Sequence, residues 1–278
     1  MAAPGSISNY TLNMITLYDF ETKLPGKALS PFGWKIRFAL NIKGLQHKTH
    51  WISFSRIAGQ LQELGLPRSS TVPNNYGTYH TVPALSDTST GAKISDSKLI
   101  LKYLDETYPN TPQLYVRPPG NAEFEALMAE AFALPFAMMR PIWIVTSPKI
   151  VLEGLDGADA ARYRPRVEAA LGMAPEEFIK DEESKERYVR EAREAFGVAD
   201  EWLGKAKKVY GGRWALGHEI TMADIEIGSA LAFTASILGE EDELWKKITR
   251  EWDEGRWGEY WGQIKEYTKL GERVVSEE

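Results

Sequence analysis

Ser30-Pro31-Phe32-Gly33-Trp34-Lys35-Ile36-Arg37-Phe38-Ala39-Leu40-Asn41-Ile42-Lys43-Gly44 is the stretch on which the reading of this chain turns. Pro31 suits the first turn of a helix, where a missing N–H costs nothing. Ser30 then falls at the N-cap, its hydroxyl placed to accept a backbone N–H. Phe32, Ile36, Ala39 and Leu40 recur at helical spacing and predict a buried face. Gly44 fits the position just past the last turn. A serine hydroxyl thus sits at the positive end of a helix, a place that favours an anion. Capping alone would also account for it, so the surroundings decide.

Upstream, Met14 to Tyr18 reads as a short strand by its β-branched and aromatic content, followed by a polar loop from Asp19 to Leu29. Downstream, His50 to Phe54 reads as a second strand. Strand, helix, strand implies a parallel pair with a right-handed crossover. Ser55 to Tyr79 is mixed, with a helical turn or two at Ala58 to Leu64 and a loop at Pro67 to Gly77. Thr81 to Ser86 and Ala92 to Ile94 predict a hairpin about the turn Asp87 to Gly91. Asp96-Ser97 opens a helix that Pro109 ends. Asn110 to Gly120, with Pro112, Pro118 and Pro119, reads as a linker.

Beyond Asn121 every segment is helical in character. An apolar region from Ala122 to Val151 is interrupted near Pro135, Pro141 and Pro148. Gly154 to Pro165 is polar. Pro175 to Tyr210 predicts one long charged helix, and Asp242 to Lys265 is rich in aromatic residues. The tail from Gly271 is expected to be loose. The organisation is therefore an α/β domain over residues 14–110, a linker over 111–120 and an all-helical domain over 121–270.

Composition narrows the chemistry. The 278 residues contain no cysteine, which excludes disulfides, thiolate metal sites and a cysteine nucleophile. No residue pattern suggests a metal site. No apolar run approaches the roughly 20 residues of a membrane span, and the first 13 residues lack the basic start of a signal peptide, so a cytoplasmic protein is expected. The net charge of −6 is unevenly spread. Met14 to Pro118 holds 12 Lys and Arg against 7 Asp and Glu, a balance of +5; the remainder from Pro119 holds 21 against 32, a balance of −11. A small anionic ligand would prefer the first part. The bias is too mild to argue for nucleic acid.

Three further motifs bear on function. A cis bond at Val82-Pro83 would turn the Val82 backbone groups outward, free to pair with an extended peptide, although a trans proline at a strand start is the ordinary alternative. Asp96-Ser97 at a helix start can cap the helix, or can hold an ammonium and a carboxylate side by side, as an amino-acid head group requires. Thr221 and Asp224, flanked by Ile220 and Ile225, make a capping box with its hydrophobic staple, a folding signal.

In their order, the strand, the Ser-Pro helix, the second strand, the Val-Pro hairpin, the Asp-Ser helix, the proline-rich linker, the helical domain and the Thr-x-x-Asp box resemble a cytosolic glutathione transferase. The resemblance runs from Met14 onward. Ser30-Pro31-Phe32 with Trp34, Lys35 and Arg37 is most similar to the fungal etherase-related serine-type class, which in turn resembles bacterial enzymes that cleave β-aryl ethers. What the resemblance implies is a thioredoxin-like N-terminal domain, an all-α C-terminal domain, glutathione as co-substrate and a homodimer. It implies that Ser30 is catalytic, donating a hydrogen bond to the glutathione thiolate. The backbone of Val82 would pair with the cysteinyl part, with Pro83 in cis, and Asp96 and Ser97 would hold the γ-glutamyl head. Arg56 and His80 are both candidates for the glycine carboxylate. Tyr18 stands as a rival catalytic hydroxyl. The lack of cysteine excludes thiol–disulfide exchange by a protein thiol. An aromatic electrophile is expected between the domains, against Phe32, Met138, Met139 and Trp143. A non-catalytic protein that binds glutathione and aromatic compounds is the alternative.

Overall fold

The structure, a computed structural model, describes residues 14–69, 80–115 and 121–274. Five strands form one sheet in the order β4-β3-β1-β2-β5. They are β1 (Ile15–Phe20), β2 (His47–Ile52), β3 (Ala84–Asp87), β4 (Ala92–Ser95) and β5 (Glu272–Val274). β1 and β2 are parallel, and β3 and β4 run antiparallel beside β1. All six residues of β1 are buried, as expected of a strand covered on both faces. Leu17 packs with the side chains of α1 (Pro31–Ile42), while Tyr18 packs on the opposite face with Leu61 of α2 (Ile57–Glu63).

α1 starts and stops where its sequence says. Ser30 Oγ accepts the Gly33 N–H at 3.1 Å. At the other end Gly44 adopts a left-handed φ of 64°, the Gly44 N–H reaches the Asn41 carbonyl and the Leu45 N–H the Leu40 carbonyl, a complete Schellman closure. The buried face includes Ile36, Ala39 and Leu40 as predicted, but Phe32 is 51 % exposed. Phe32 sits in the first turn of α1, between buried Ser30 and buried Gly33 and Trp34, with the Lys35 ammonium 5.2 Å from its ring centre.

The strand boundaries shift from expectation. β2 begins at His47, paired with Ile15 of β1, rather than at His50, and β3 begins at Ala84, paired with Tyr18, rather than at Thr81. The loop predicted at 67–77 and the linker at 111–120 are described only in part, since 70–79 and 116–120 fall outside the described residues. α3 (Ser97–Thr107) packs beside α1.

The helical part comprises α4 (Ala122–Ala131), α5 (Leu134–Lys149), α6 (Gly157–Leu171), α7 (Pro175–Phe178), α8 (Glu182–Tyr210), α9 (Met222–Leu238), α10 (Glu243–Arg250) and α11 (Arg256–Ile264). α9 is its centre, with 16 of its 17 residues buried. The region 122–154 is long and apolar enough by composition to cross a membrane, yet half of its apolar window is buried against the rest of the protein and α5 packs on α8 and α9. It is a core element. Pro141 and Pro148 lie inside α5, which runs through them and ends in a π turn at Ile150–Gly154. Within the polar segment Gly154 to Pro165, the residues from Gly157 onward form the start of α6, which carries Pro165 in its interior. The single helix expected from Pro175 to Tyr210 is two, because Asp181 Oδ1 caps a new start by accepting the Ser184 N–H.

The tail is the clearest departure. Glu272–Val274 is not loose but pairs in parallel with β2. Asn41 donates to the carbonyls of Tyr267 and Lys269, and Thr49 to that of Leu270. The C-terminal segment thus stitches the helical part to the sheet.

Candidate active site

Register brings the motifs together. Ala84 pairs with Tyr18 on one side and with Ser95 on the other. Val82-Pro83 therefore precedes β3, and Asp96-Ser97 follows β4, at the same end of the sheet where β1 finishes. After β1 the chain loops out and returns, with Glu21 bridged to Ala28, so that Ser30 comes back to that end. The N-termini of α1 and α3 both open there. This is the crevice beyond the carboxyl ends of the parallel strands, the usual ligand position in such sheets.

Ser30 is nearly buried, at 6 % exposure. Its oxygen accepts from Gly33, and its own proton is committed to no acceptor among the described residues. A hydroxyl carries one proton and two lone pairs, so the donor remains available to a ligand. The Val82-Pro83 bond is cis. Among the described residues the Val82 N–H and C=O have no hydrogen-bond partner. Asp96 caps α3, its Oδ1 accepting the Lys98 N–H at 2.9 Å, and it holds a φ of 85°. A non-glycine residue in that region is strained, and such strain concentrates at binding sites. Ser97, the first residue of α3, is half-buried beside it.

The remaining sequence candidates separate. Tyr18 shares its hydroxyl with Ser86 at 3.1 Å and lies on the α2 face of the sheet, opposite the face that carries α1. Arg56 is exposed at the start of α2. His80 is buried two residues before Val82, with Nδ1 unpartnered. Burial lowers its pKa, and the nearby Arg68 charge lowers it further. Of the four pocket candidates, Met138 is fully buried and belongs to the core. Phe32 is exposed, and Met139 and Trp143 are half-buried. Trp143 Nε1 donates to the Tyr163 hydroxyl, and Tyr163 meets Phe54 edge to face at 5.0 Å.

Several polar pairs near the crevice escaped the sequence reading. Asp19 and Arg37, both fully buried, pair at 2.6 Å. Burial raises the Asp19 carboxyl pKa, and the Arg37 guanidinium opposes that shift. Lys35 of α1 reaches Glu226 of α9 at 2.5 Å, and its ammonium lies 5.2 Å from the Phe32 ring centre. Asp159 of α6 accepts the Ser53 hydroxyl at 2.6 Å and the backbone N–H groups of Phe54 and Ser55. Each joins residues far apart in the chain, so no local spacing announces it. The one available signal was a charged Arg37 next to the apolar stripe of α1.

Comparison with known proteins agrees with this architecture. The family model described as glutathione S-transferase, C-terminal domain, matches residues 126–267, and that described as glutathione S-transferase, N-terminal domain, matches residues 24–112. A glutathione S-transferase of Ceriporiopsis subvermispora, crystallised in complex with glutathione, superposes with a TM-score of 0.76 at 30 % identity, covering 92 % of this chain and 98 % of that one. The glutathione transferase GSTFuA3 from Phanerochaete chrysosporium superposes with a TM-score of 0.75 at 28 % identity over the same shares. A glutathione S-transferase-like protein of Aspergillus flavus is 33 % identical over 120 residues, 40 % of this chain, and the match spans 41 % of that relative's length. With matches to both halves, and one of them over half its length, the chain belongs to the glutathione transferase family.

Proposed function

We propose that the protein transfers glutathione to aromatic electrophiles, with Ser30 as the hydroxyl that steadies the thiolate. The observation that carries this reading is the uncommitted Ser30 proton at the head of α1, in the crevice that also holds the unpaired Val82 backbone. An extended tripeptide would lie along Val82, with its γ-glutamyl head at Asp96 and Ser97. Its glycine carboxylate would meet a basic group, for which buried His80 with Arg68 nearby and exposed Arg56 are the candidates.

The energetics suffice. A free thiol has a pKa of about 8.5 and is mostly protonated at neutral pH. The thiolate is the nucleophile. A hydrogen bond to a charged group contributes about 1.5–3 kcal/mol, and a helix N-terminus about 0.3–1 kcal/mol. Two kcal/mol lowers a pKa by about 1.5 units. Ser30 and α1 together are of the size needed to make the bound thiol largely anionic near pH 7.

The electrophile would enter between exposed Phe32 and half-buried Met139 and Trp143. In β-aryl ether cleavage the sulfur attacks the carbon that bears the aryloxy group. A C–S bond forms, the C–O bond breaks, and the aryloxide leaves to take up a proton. The residues of α1 that resemble the etherase-related class support this finer reading. We further read the protein as a cytoplasmic homodimer organised as domains 14–110 and 121–270 about a linker at 111–120. Exposed Phe132, in the turn between α4 and α5, and exposed Phe136, in the first turn of α5, are apolar surface that a partner subunit would cover.

The test is direct. The protein is titrated with glutathione, then given glutathione with a β-aryl ether dimer or with a halogenated nitroaromatic, and products are read by mass spectrometry. Thioether from both substrates supports the full reading. Thioether from the nitroaromatic alone keeps the transferase and removes ether cleavage. A melting temperature that glutathione does not move, with no thioether from either, overturns it.

A further inference from the structure

Gly33 is an unexplained choice. It sits in the first turn of α1 with ordinary helical geometry, and glycine is among the poorest helix formers. The reason lies beneath it. A methyl group built on Gly33 would fall 2.2 Å from Asp19 Oδ2, 2.9 Å from Asp19 Cγ and 3.2 Å from Arg37 Nη1. The Asp19 carboxylate is thus pressed against the Gly33 backbone, and only the absence of a side chain allows it. Asp19 is held in place in turn. Its Oδ1 accepts the Phe20 N–H at 2.9 Å, and its Oδ2 accepts from Arg37 Nη1 at 2.6 Å. Arg37 is clamped between two indoles, 5.4 Å from the Trp34 ring centre and 5.0 Å from that of Trp51. All of this is packed to full burial, so it cannot shift piecemeal.

Gly33 is also the residue whose N–H holds Ser30 Oγ. The chain of contacts therefore runs Trp34 and Trp51 to Arg37, to Asp19, to Gly33, to the Ser30 hydroxyl. We propose that the buried Asp19–Arg37 pair positions Ser30, by seating the first turn of α1 on β1 so that the Gly33 amide fixes the Ser30 oxygen and leaves its proton aimed into the crevice. Asp19 and Arg37 are positioning residues and touch no substrate. Their charges cancel at short range, so the pair seats the turn without placing a net negative charge beneath a site meant for a thiolate. This inference rests on the reading of Ser30 as the thiolate's partner.

The experiment measures the apparent pKa of glutathione bound to the protein, from thiolate absorbance against pH, with turnover and glutathione affinity alongside. Gly33→Ala drives a methyl group into Asp19 and must lift the turn. The double variant Asp19→Leu, Arg37→Met removes the pair while keeping apolar volume, an exchange that buried ion pairs often tolerate. For either folded variant we expect the thiol pKa to rise by about one unit, kcat below that pKa to fall about tenfold, and glutathione affinity to change much less. A purely structural pair would leave the thiol pKa where it was. Should Gly33→Ala not fold, the double variant decides. A folded variant whose thiol pKa and kcat equal the parent's overturns the proposal. Ser30→Ala, run in parallel, separates the two readings: if it leaves the thiol pKa unmoved, the role of Ser30 itself fails; if it raises the pKa while the folded positioning variants do not, only the positioning role fails.

Discussion

Ser30 caps α1 by accepting the Gly33 N–H, and on the proposed reading it has a second task, donating its proton to the glutathione thiolate. The two can be separated by measurement. Ser30→Ala should cost about 1 kcal/mol in urea-unfolding stability, the usual worth of a cap. Its effect on turnover should be larger, roughly ten- to hundredfold in kcat, because a hydrogen bond to an anion contributes about 1.5–3 kcal/mol. Equal turnover in the variant would assign Ser30 to capping alone. Asp224 is the opposite case, a polar residue with only a structural task. Its carboxylate is fully buried and accepts the N–H groups of Ala215 and Thr221 and the hydroxyls of Thr221 and Tyr260. The capping box was legible from Thr221 and Asp224 alone, but its extension to Ala215 and Tyr260 was not, since those partners come from outside the helix. Asp224→Ala leaves several buried donors unpaired, at about 1–3 kcal/mol each. We expect a loss of at least about 3 kcal/mol by urea unfolding, well beyond an ordinary cap.

At the level of elements, the contacts between the sheet and the helical part decide how the crevice is walled. Asp159 fastens α6 to the turn after β2. Burial would raise its carboxyl pKa, but the hydroxyls of Ser53 and Ser55 and the backbone N–H groups of Ser55 and Phe54 outweigh burial and hold it below the usual value. A carboxyl whose folded pKa is depressed stabilises the fold above its unfolded pKa of about 3.9 and loses that contribution as pH falls through the folded value. Asp159→Ala should therefore lower stability by about 1 kcal/mol at pH 7, allowing for solvent screening of this half-buried group. The difference from the parent should persist down to about pH 4 and close only as unfolding is repeated at successively lower pH, below the unfolded pKa of about 3.9. A gap that stays constant with pH would mean the carboxylate charge contributes nothing. The split of the predicted 175–210 helix belongs at this scale as well. Its composition supports helix throughout, and the break at Asp181 reflects a cap competing successfully with continuation.

For the molecule as a whole, the C-terminal segment closes the sheet. Without it β2 would be an edge strand with exposed backbone groups, a surface prone to pairing between chains. Ending the chain after Tyr267 removes β5 and the carbonyls that accept from Thr49 and, in part, Asn41. Three ladder pairs and two side-chain bonds are lost. At about 0.5–1.5 kcal/mol per hydrogen bond, the truncated protein should be less stable by about 2 kcal/mol or more. It should also scatter more light on heating than the full chain, and an unchanged melting curve would show that β5 does not hold the sheet.

The local rules worked where the physics is local. A serine before a proline, a glycine after an apolar stripe and a Thr-x-x-Asp box each act within one helical turn, so α1, its two ends and the start of α9 could be read from residue order. The order of the elements carried the family, because connections are short and parallel strands need a crossover. What tertiary structure alone decided were the meetings of residues distant in the chain: Asp19 under Gly33, Asp159 on the Ser53–Ser55 turn, Lys35 with Glu226, and the tail added to β2. Side chains with no partner nearby in sequence find one only when the chain closes, and burial then makes that pairing obligatory. Phe32 shows the converse. Its spacing marked it for the core, but a stripe of apolar residues fixes only a direction around the helix axis, and whether a partner surface meets each residue of the stripe is set by the packed whole.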